Sequence, residues 1–168
     1  MASRWSLRWR DRPPEEAALL NPVFCGELIA RATKDYERIR ATAFPLPLGF
    51  VVLPLVLHPP TLAILPGRAN TTFATWSAAN EALLAELPER TRALRPISRE
   101  ALLFLAQHRV LAVDAEGLRL GEKPMRLTTK VTTTTDVDDI RRAAALLGRW
   151  FANQGAPAQI LQIMGVTP

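Results

Sequence analysis

The sequence has one cysteine, Cys25, and two histidines, His58 and His108. A single thiol excludes an internal disulfide framework and fits a reducing compartment. Three such residues at wide spacing are also too few for a zinc site, which needs several Cys or His close together. Lysine is scarce, with three against 18 arginines. A phosphate-binding loop needs GxxxxGK followed by Ser or Thr, so that backbone amides and a lysine cradle phosphate. No such stretch occurs, and PGRANTT lacks both the spacing and the lysine. The first dozen residues, MASRWSLRWRDR, show no apolar region and no cleavage site, so no secretory signal is expected.

Charge is missing altogether between Ala43 and Gly67, where His58 is the one ionisable side chain. A spanning helix needs about 20 predominantly apolar residues. Six prolines interrupt this stretch, and its longest proline-free run is Leu48 to Leu53. The pieces are too short to span a bilayer as one helix, so no membrane segment is expected. A buried, broken helical hairpin is expected instead. Should part of the stretch face solvent, it becomes a docking groove for a partner.

The 168 residues fit one domain, and 48% hydrophobic with 22% charged residues is ordinary for a globular chain. That length can bury a core without staples. The net charge of +5 and a sequence pI of about 10.3 allow a nucleic-acid partner. The arginines are scattered, apart from Arg4, Arg8, Arg10 and Arg12.

A mainly α (α+β) architecture follows from the order of patterns. Residues 1–69 read as an N-terminal arm and a helical layer. Two bulky indoles on the arm, Trp5 and Trp9, are expected to cover apolar surface. Glu15–Leu20 reads as a short helix, and Asn21-Pro22 as cap and first position of an amphipathic one. Leu48–Leu57 is expected to be helical with a bend at Pro54, and Thr61–Leu65 to add a turn. Residues 70–122 read as a winged-helix-like module. Its first helix is capped by Asn70, its second by Asn80 and stopped by Pro96, its third capped by Ser98. A hairpin turning at Asp114–Gly117 serves as wing. Residues 123–168 hold a Thr-rich stretch, MRLTTKVTTTT, readable as strand or loop. A C-terminal helix follows, opened by Asp136 with Asp139, and then an apolar tail expected to dock back.

No catalytic constellation is evident. Cys25 lies on an apolar helix and reads as a small buried hydrophobe; a hydrolase using it would need His58 or His108 beside it. His58 is expected to bind carbonyls at a helix end, and His108 to be solvated. Glu15-Glu16 and Asp138-Asp139 sit at helix starts, where acids favour the macrodipole. No cofactor or metal is expected. The helix REALLFLAQHR, Arg99–Arg109, would occupy the reading position of a winged helix. Its middle is Ala, Leu and Phe, which suits protein packing better than base edges. Non-specific nucleic-acid contact through Arg90, Arg92, Arg95 or Arg99 stays open, as does a plain solvated face.

Several segments together carry a resemblance. EEAALLNPVFCGELI, LPLVLH, SREALLFLAQHRVL and GRWFANQGAPAQILQIMGVTP occur in that order. The chain resembles the middle component of bacterial three-component ABC-ATPase conflict systems. Ile163 and Met164 stand where that family usually carries aromatics. The resemblance implies a cytoplasmic, non-enzymatic adaptor in anti-phage or anti-plasmid defence. Its partners would be an effector and an ABC ATPase similar to chromosome-maintenance or Rad50-type proteins. The alternative is a DNA-binding winged-helix regulator. The expected partner interface comprises Trp5 and Trp9 of the arm and the corner Gly148, Arg149, Trp150 and Phe151. The same corner also reads as plain core. Gly148 inside a helix costs about 1 kcal/mol against Ala, which close backbone packing would explain.

Overall fold

A computed structural model describes residues 9–126 and 134–167; the side chain of Trp9 is not described. After a 3-10 turn at Trp9–Asp11 come α1 (Pro14–Leu19), α2 (Pro22–Arg40), α3 (Leu46–Val56) and α4 (Pro59–Ile64). Then follow α5 (Phe73–Ala79), α6 (Glu81–Leu84) and α7 (Leu87–Gln107). The hairpin β1 (Leu111–Asp114) and β2 (Gly117–Leu120) precedes α8 (Thr135–Ala152) and α9 (Pro157–Ile163). The protein is mainly helical, with one small antiparallel hairpin and a helical C-terminal region. Most of MRLTTKVTTTT lies outside the described residues; its last two threonines open α8.

The part of the uncharged stretch that forms α3 is the centre of the core. Eight of the eleven residues of α3 are buried, including every one from Val51 to Val56. A helix apolar all round belongs inside a protein or a membrane. Here α2, α7 and α8 all pack against it. Pro54 lies inside α3 without ending it, and His58-Pro59-Pro60 separates α3 from the short α4. Among the described residues no helix is long and apolar enough to cross a membrane.

Around α3, the long helix α2 packs along both α8 and α7. Small residues set these approaches. A Cβ placed on Gly148 of α8 would lie 2.1 Å from the carbonyl oxygen of Ala32 on α2. The backbones therefore meet where neither helix presents a side chain beyond a methyl group. Gly26 of α2 likewise lies under Leu105 of α7, at 2.9 Å from an added Cβ. The expected cause of Gly148 is present in the structure.

Four expected helix boundaries differ. Asn80 stands at the N-cap position of α6, but its side chain makes no cap there and donates instead to the Trp76 carbonyl at 2.8 Å. Pro96 does not stop a helix: α7 runs unbroken through it and places Ser98, the expected cap, at 0% exposure inside the helix. Buried Leu87, Thr91, Ile97, Ala101, Leu102 and Leu105 hold α7 against its neighbours on both sides of the proline. That burial offsets the roughly 3 kcal/mol by which proline disfavours a helix interior. The expected winged-helix order is altered over residues 73–120: α6 has only four residues, and the rest of the expected second helix is continuous with the third as α7. Thr72, not Asn70, caps α5 by accepting from the Thr75 amide at 3.2 Å. Thr134, not the aspartate pair, caps α8 by accepting from Val137. The Asn21 cap of α2 is as expected, 2.7 Å from the Phe24 amide.

The hairpin is tied to the core. Phe44, in the link between α2 and α3, exchanges both backbone hydrogen bonds with Leu118, at 2.8 and 2.7 Å. Asp114 turns the chain by accepting from the Glu116 and Gly117 amides. Gly117 has a φ of 139°, and a Cβ there would lie 2.3 Å from the Phe44 carbonyl oxygen. Glycine is thus required both by conformation and by space.

Candidate functional site

The expected interface residues divide into three groups. Trp5 and the side chain of Trp9 lie outside the described residues. The start of the described chain is nonetheless pinned. Arg12 is 8% exposed, donates to the Leu20 carbonyl at 3.3 Å, and pairs with Glu100 of α7 at 2.6 Å.

The corner on α8 is interior. Trp150 is 0% exposed and Phe151 1%. Phe73 and Trp76 of α5 pack on Trp150 with ring centroids 4.8 and 5.0 Å away, the two indoles edge to face. Phe151 stacks on Phe44, which touches Tyr36 at 5.1 Å. Both indole N–H groups are satisfied: Trp150 Nε1 donates to the Thr71 carbonyl at 2.6 Å, and Trp76 Nε1 to that of Ile64 at 2.7 Å. Buried indoles require such partners. Trp150 and Phe151 are therefore core residues in this chain, and Gly148 is covered by α2. Only Arg149 reaches the surface there, paired with Asp35. The isolated sequence hid this because the covering residues, Phe44, Phe73 and Trp76, are distant along the chain. Spacing within α8 alone does not reveal them.

The four arginines of α7 also separate. Arg90 points inward, donating to the Thr61 hydroxyl at 3.0 Å with Glu86 3.8 Å away. Burial lowers its pKa, against the pull of Glu86. Thr61 is fully buried and lies 2.7 Å from His58 Nδ1. His58 thus faces a threonine at the start of α4, not the carbonyls of a helix end. Desolvation first, and the Arg90 charge second, hold its pKa below the ordinary histidine value, against Glu86. Arg92, Arg95 and Arg99 are exposed on α7, and none has an ion-pair partner among the described residues.

Cys25 is 0% exposed, with Sγ 3.8 Å from the Leu19 carbonyl. Burial pushes its pKa up to about 12; nearby Arg12 opposes the rise and Glu100 adds to it. A nucleophilic thiol needs thiolate at neutral pH, and this one is held protonated. Neither histidine forms a hydrogen bond with it: His58 meets Thr61, and His108 binds the Phe104 carbonyl at 2.8 Å. Among the described residues no group of three His, Cys, Asp or Glu side chains converges as a metal site would require.

Two of the surface depressions bear on a partner. The larger, about 1260 Å³, is an open groove between α4 and α8, lined on α8 from Asp136 to Arg149. Half-buried Leu57, Leu62, Leu65 and Pro66 line it, so the tail of the uncharged stretch does face solvent. Facing them are Ile140 and Leu146, with Arg141 tied to Glu27 at 2.7 Å and Arg142 to Asp139. The smaller, about 290 Å³, is a slot between α3, α7 and the tail. Its walls are Leu46, Pro47, Phe50 and Val166, and Arg92 and Arg95 stand on it.

The arrangement is one of packed core, tethered hairpin and arginine-lined surface. The family described as ABC-three component (ABC-3C) system Middle Component 3 matches residues 9–168. No curated protein and no solved structure matches the chain. With the match extending over almost the whole sequence, the chain belongs to the family of ABC-three component system middle components.

Proposed function

We propose that the protein is a non-enzymatic adaptor. It would hold together the ABC ATPase of its system, of the chromosome-maintenance or Rad50 type, and an effector protein in bacterial anti-phage or anti-plasmid defence. The observation that carries this reading is the match to a middle component over residues 9–168. The protonated, buried Cys25 accords with it, because the thiol is the strongest nucleophile the sequence offers. The contact regions of the adaptor are its N-terminal Trp/Arg arm, with Trp5 and Trp9, and the surface around Arg149. Trp150 and Phe151 support that surface from below.

The test is co-expression with the two other components of its system, followed by purification through a tag on this chain. Retention of both is the expected result. Retention of neither by the folded chain refutes the adaptor.

A second reading is direct contact with duplex DNA. It is favoured by the exposed Arg92, Arg95 and Arg99, which have no ion-pair partner among the described residues. Such binding would weaken steeply with added salt, as counterion release requires. Absence of binding at low salt removes this reading.

A further inference from the structure

We propose that the slot between α3, α7 and the tail captures an acidic peptide segment carrying a bulky apolar side chain. The segment would belong to one of the two partner components, so this inference rests on the adaptor reading and gives it a place on the surface. Leu46, Pro47 and Phe50 from α3 and Val166 from the tail form an apolar wall around about 290 Å³. All four are half-buried, and none closes the slot. That volume lies at the small end of ligand-sized clefts and suits one large side chain better than a whole cofactor.

Arg92 and Arg95 stand on the same slot. They are exposed, and no carboxylate among the described residues lies within ion-pair distance of either. Most other arginines near the core have such a partner: Arg12 with Glu100, Arg31 with Glu27, Arg141 with Glu27 and Arg149 with Asp35. Two uncompensated guanidinium groups beside an apolar wall match a ligand with carboxylates flanking an apolar residue. Guanidinium suits carboxylate, which it can bind by two parallel hydrogen bonds. A duplex would satisfy the arginines with its phosphates, but its bases are stacked inside and leave no group to fill the wall. The combination therefore favours peptide over duplex DNA. Complementary charge at such a site also steers encounter and rejects basic competitors.

The full chain is titrated with a fluorescent peptide EDEFLDED, with QNQFLNQN, with EDEAADED and with a short duplex DNA. Binding of EDEFLDED in preference to the other three is expected. Arg92→Glu with Arg95→Glu should weaken that binding about ten-fold or more, through like-charge repulsion. Both positions are exposed, so the thermal midpoint should stay unchanged. Equal binding of the neutral or the alanine peptide, tighter binding of DNA, or no saturable peptide binding overturns the proposal. In the co-purification, the double variant should lose one component and keep the other. If it keeps both, the slot is wrong and the adaptor stands. If wild type retains neither, the adaptor fails, and the slot proposal fails with it as a partner site.

Discussion

Replacing Gly148 by alanine sets two effects of opposite sign against each other. Alanine is the better helix former, and inside a helix the exchange favours folding by about 1 kcal/mol. Against this stands the contact with α2. The new methyl would sit 2.1 Å from the Ala32 oxygen and 2.8 Å from its carbonyl carbon, whereas Cβ contacts under 3.0 Å essentially do not occur. Helix α8 must therefore retreat by about 0.9 Å, and the obstacle is backbone, which cannot rotate aside. Retreat loosens Ala144, Leu147, Trp150 and Phe151, all at most 1% exposed. Overpacking of this kind costs typically 1–3 kcal/mol and more where backbone must move. We expect the upper end to prevail, with a net loss of about 2 kcal/mol after the helix term is subtracted. For a chain of this size that lowers the melting midpoint by roughly 4–8 °C. Urea denaturation followed by tryptophan fluorescence, with midpoint and slope fitted separately, measures it. Gly67→Ala is the control, since nothing lies within 4 Å of its added Cβ, and it should stay within about 0.5 kcal/mol of wild type. A Gly148→Ala protein as stable as wild type, or more so, would show that the α2–α8 approach does not need glycine.

Trp150→Ala should cost about 3–5 kcal/mol, the range for removing a fully buried large aromatic, read in the same urea assay. A small effect would place the corner outside the core. Ser98→Ala should raise stability by about 0.5–1.5 kcal/mol, because the buried hydroxyl has no hydrogen-bond partner in the structure and alanine favours the helix. Cys25 should resist a thiol reagent in the folded protein and react on unfolding. Its folded-state pKa lies above its unfolded one. The unfolded chain thus loses the proton first, and the Cys25 contribution to stability falls as pH rises from 9.0 through about 12. His58 works in the opposite sense. Its folded pKa is depressed from 6.5, so the unfolded state binds the extra proton and stability falls as pH drops below 6.5. Denaturation midpoints compared between pH 7 and pH 5 should show a shallower decline in His58→Gln.

The parts of the fold that were readable in the sequence are those with local causes. The Asn21 cap, the Gly117 turn and the termination of α3 before His58-Pro59-Pro60 each follow from a few adjacent residues. The proline count in the uncharged stretch argued for core over membrane, and α3 lies buried as that count suggested. Misreadings arose where distant residues decide. Pro96 ordinarily ends a helix, but packing on both sides of it keeps α7 whole. Ser98 reads as a cap from its neighbours and is buried because of what α7 lies against. Trp150 and Phe151 allowed two readings because exposure depends on Phe44, Phe73 and Trp76, which no spacing on α8 encodes. For the candidate surface, the sequence named four arginines alike. Only the structure separates Arg90, turned toward Thr61, from Arg92 and Arg95 on the slot.

The meeting of Ala32 with Gly148 also has a meaning in time. These two residues are about 116 positions apart, so this close backbone seam forms late in synthesis. At about 5–20 residues per second, Ala32 leaves the ribosome on the order of 6–23 s before Gly148, and the end of α3 about 5–18 s before it. For that interval the apolar α3 lacks α8, and it waits longer still for α9, which also packs on it. The burden on chaperones falls there. A variant that slows or weakens the α2–α8 closure should show its defect first as aggregation of newly made chains, before any loss of stability in those that have folded.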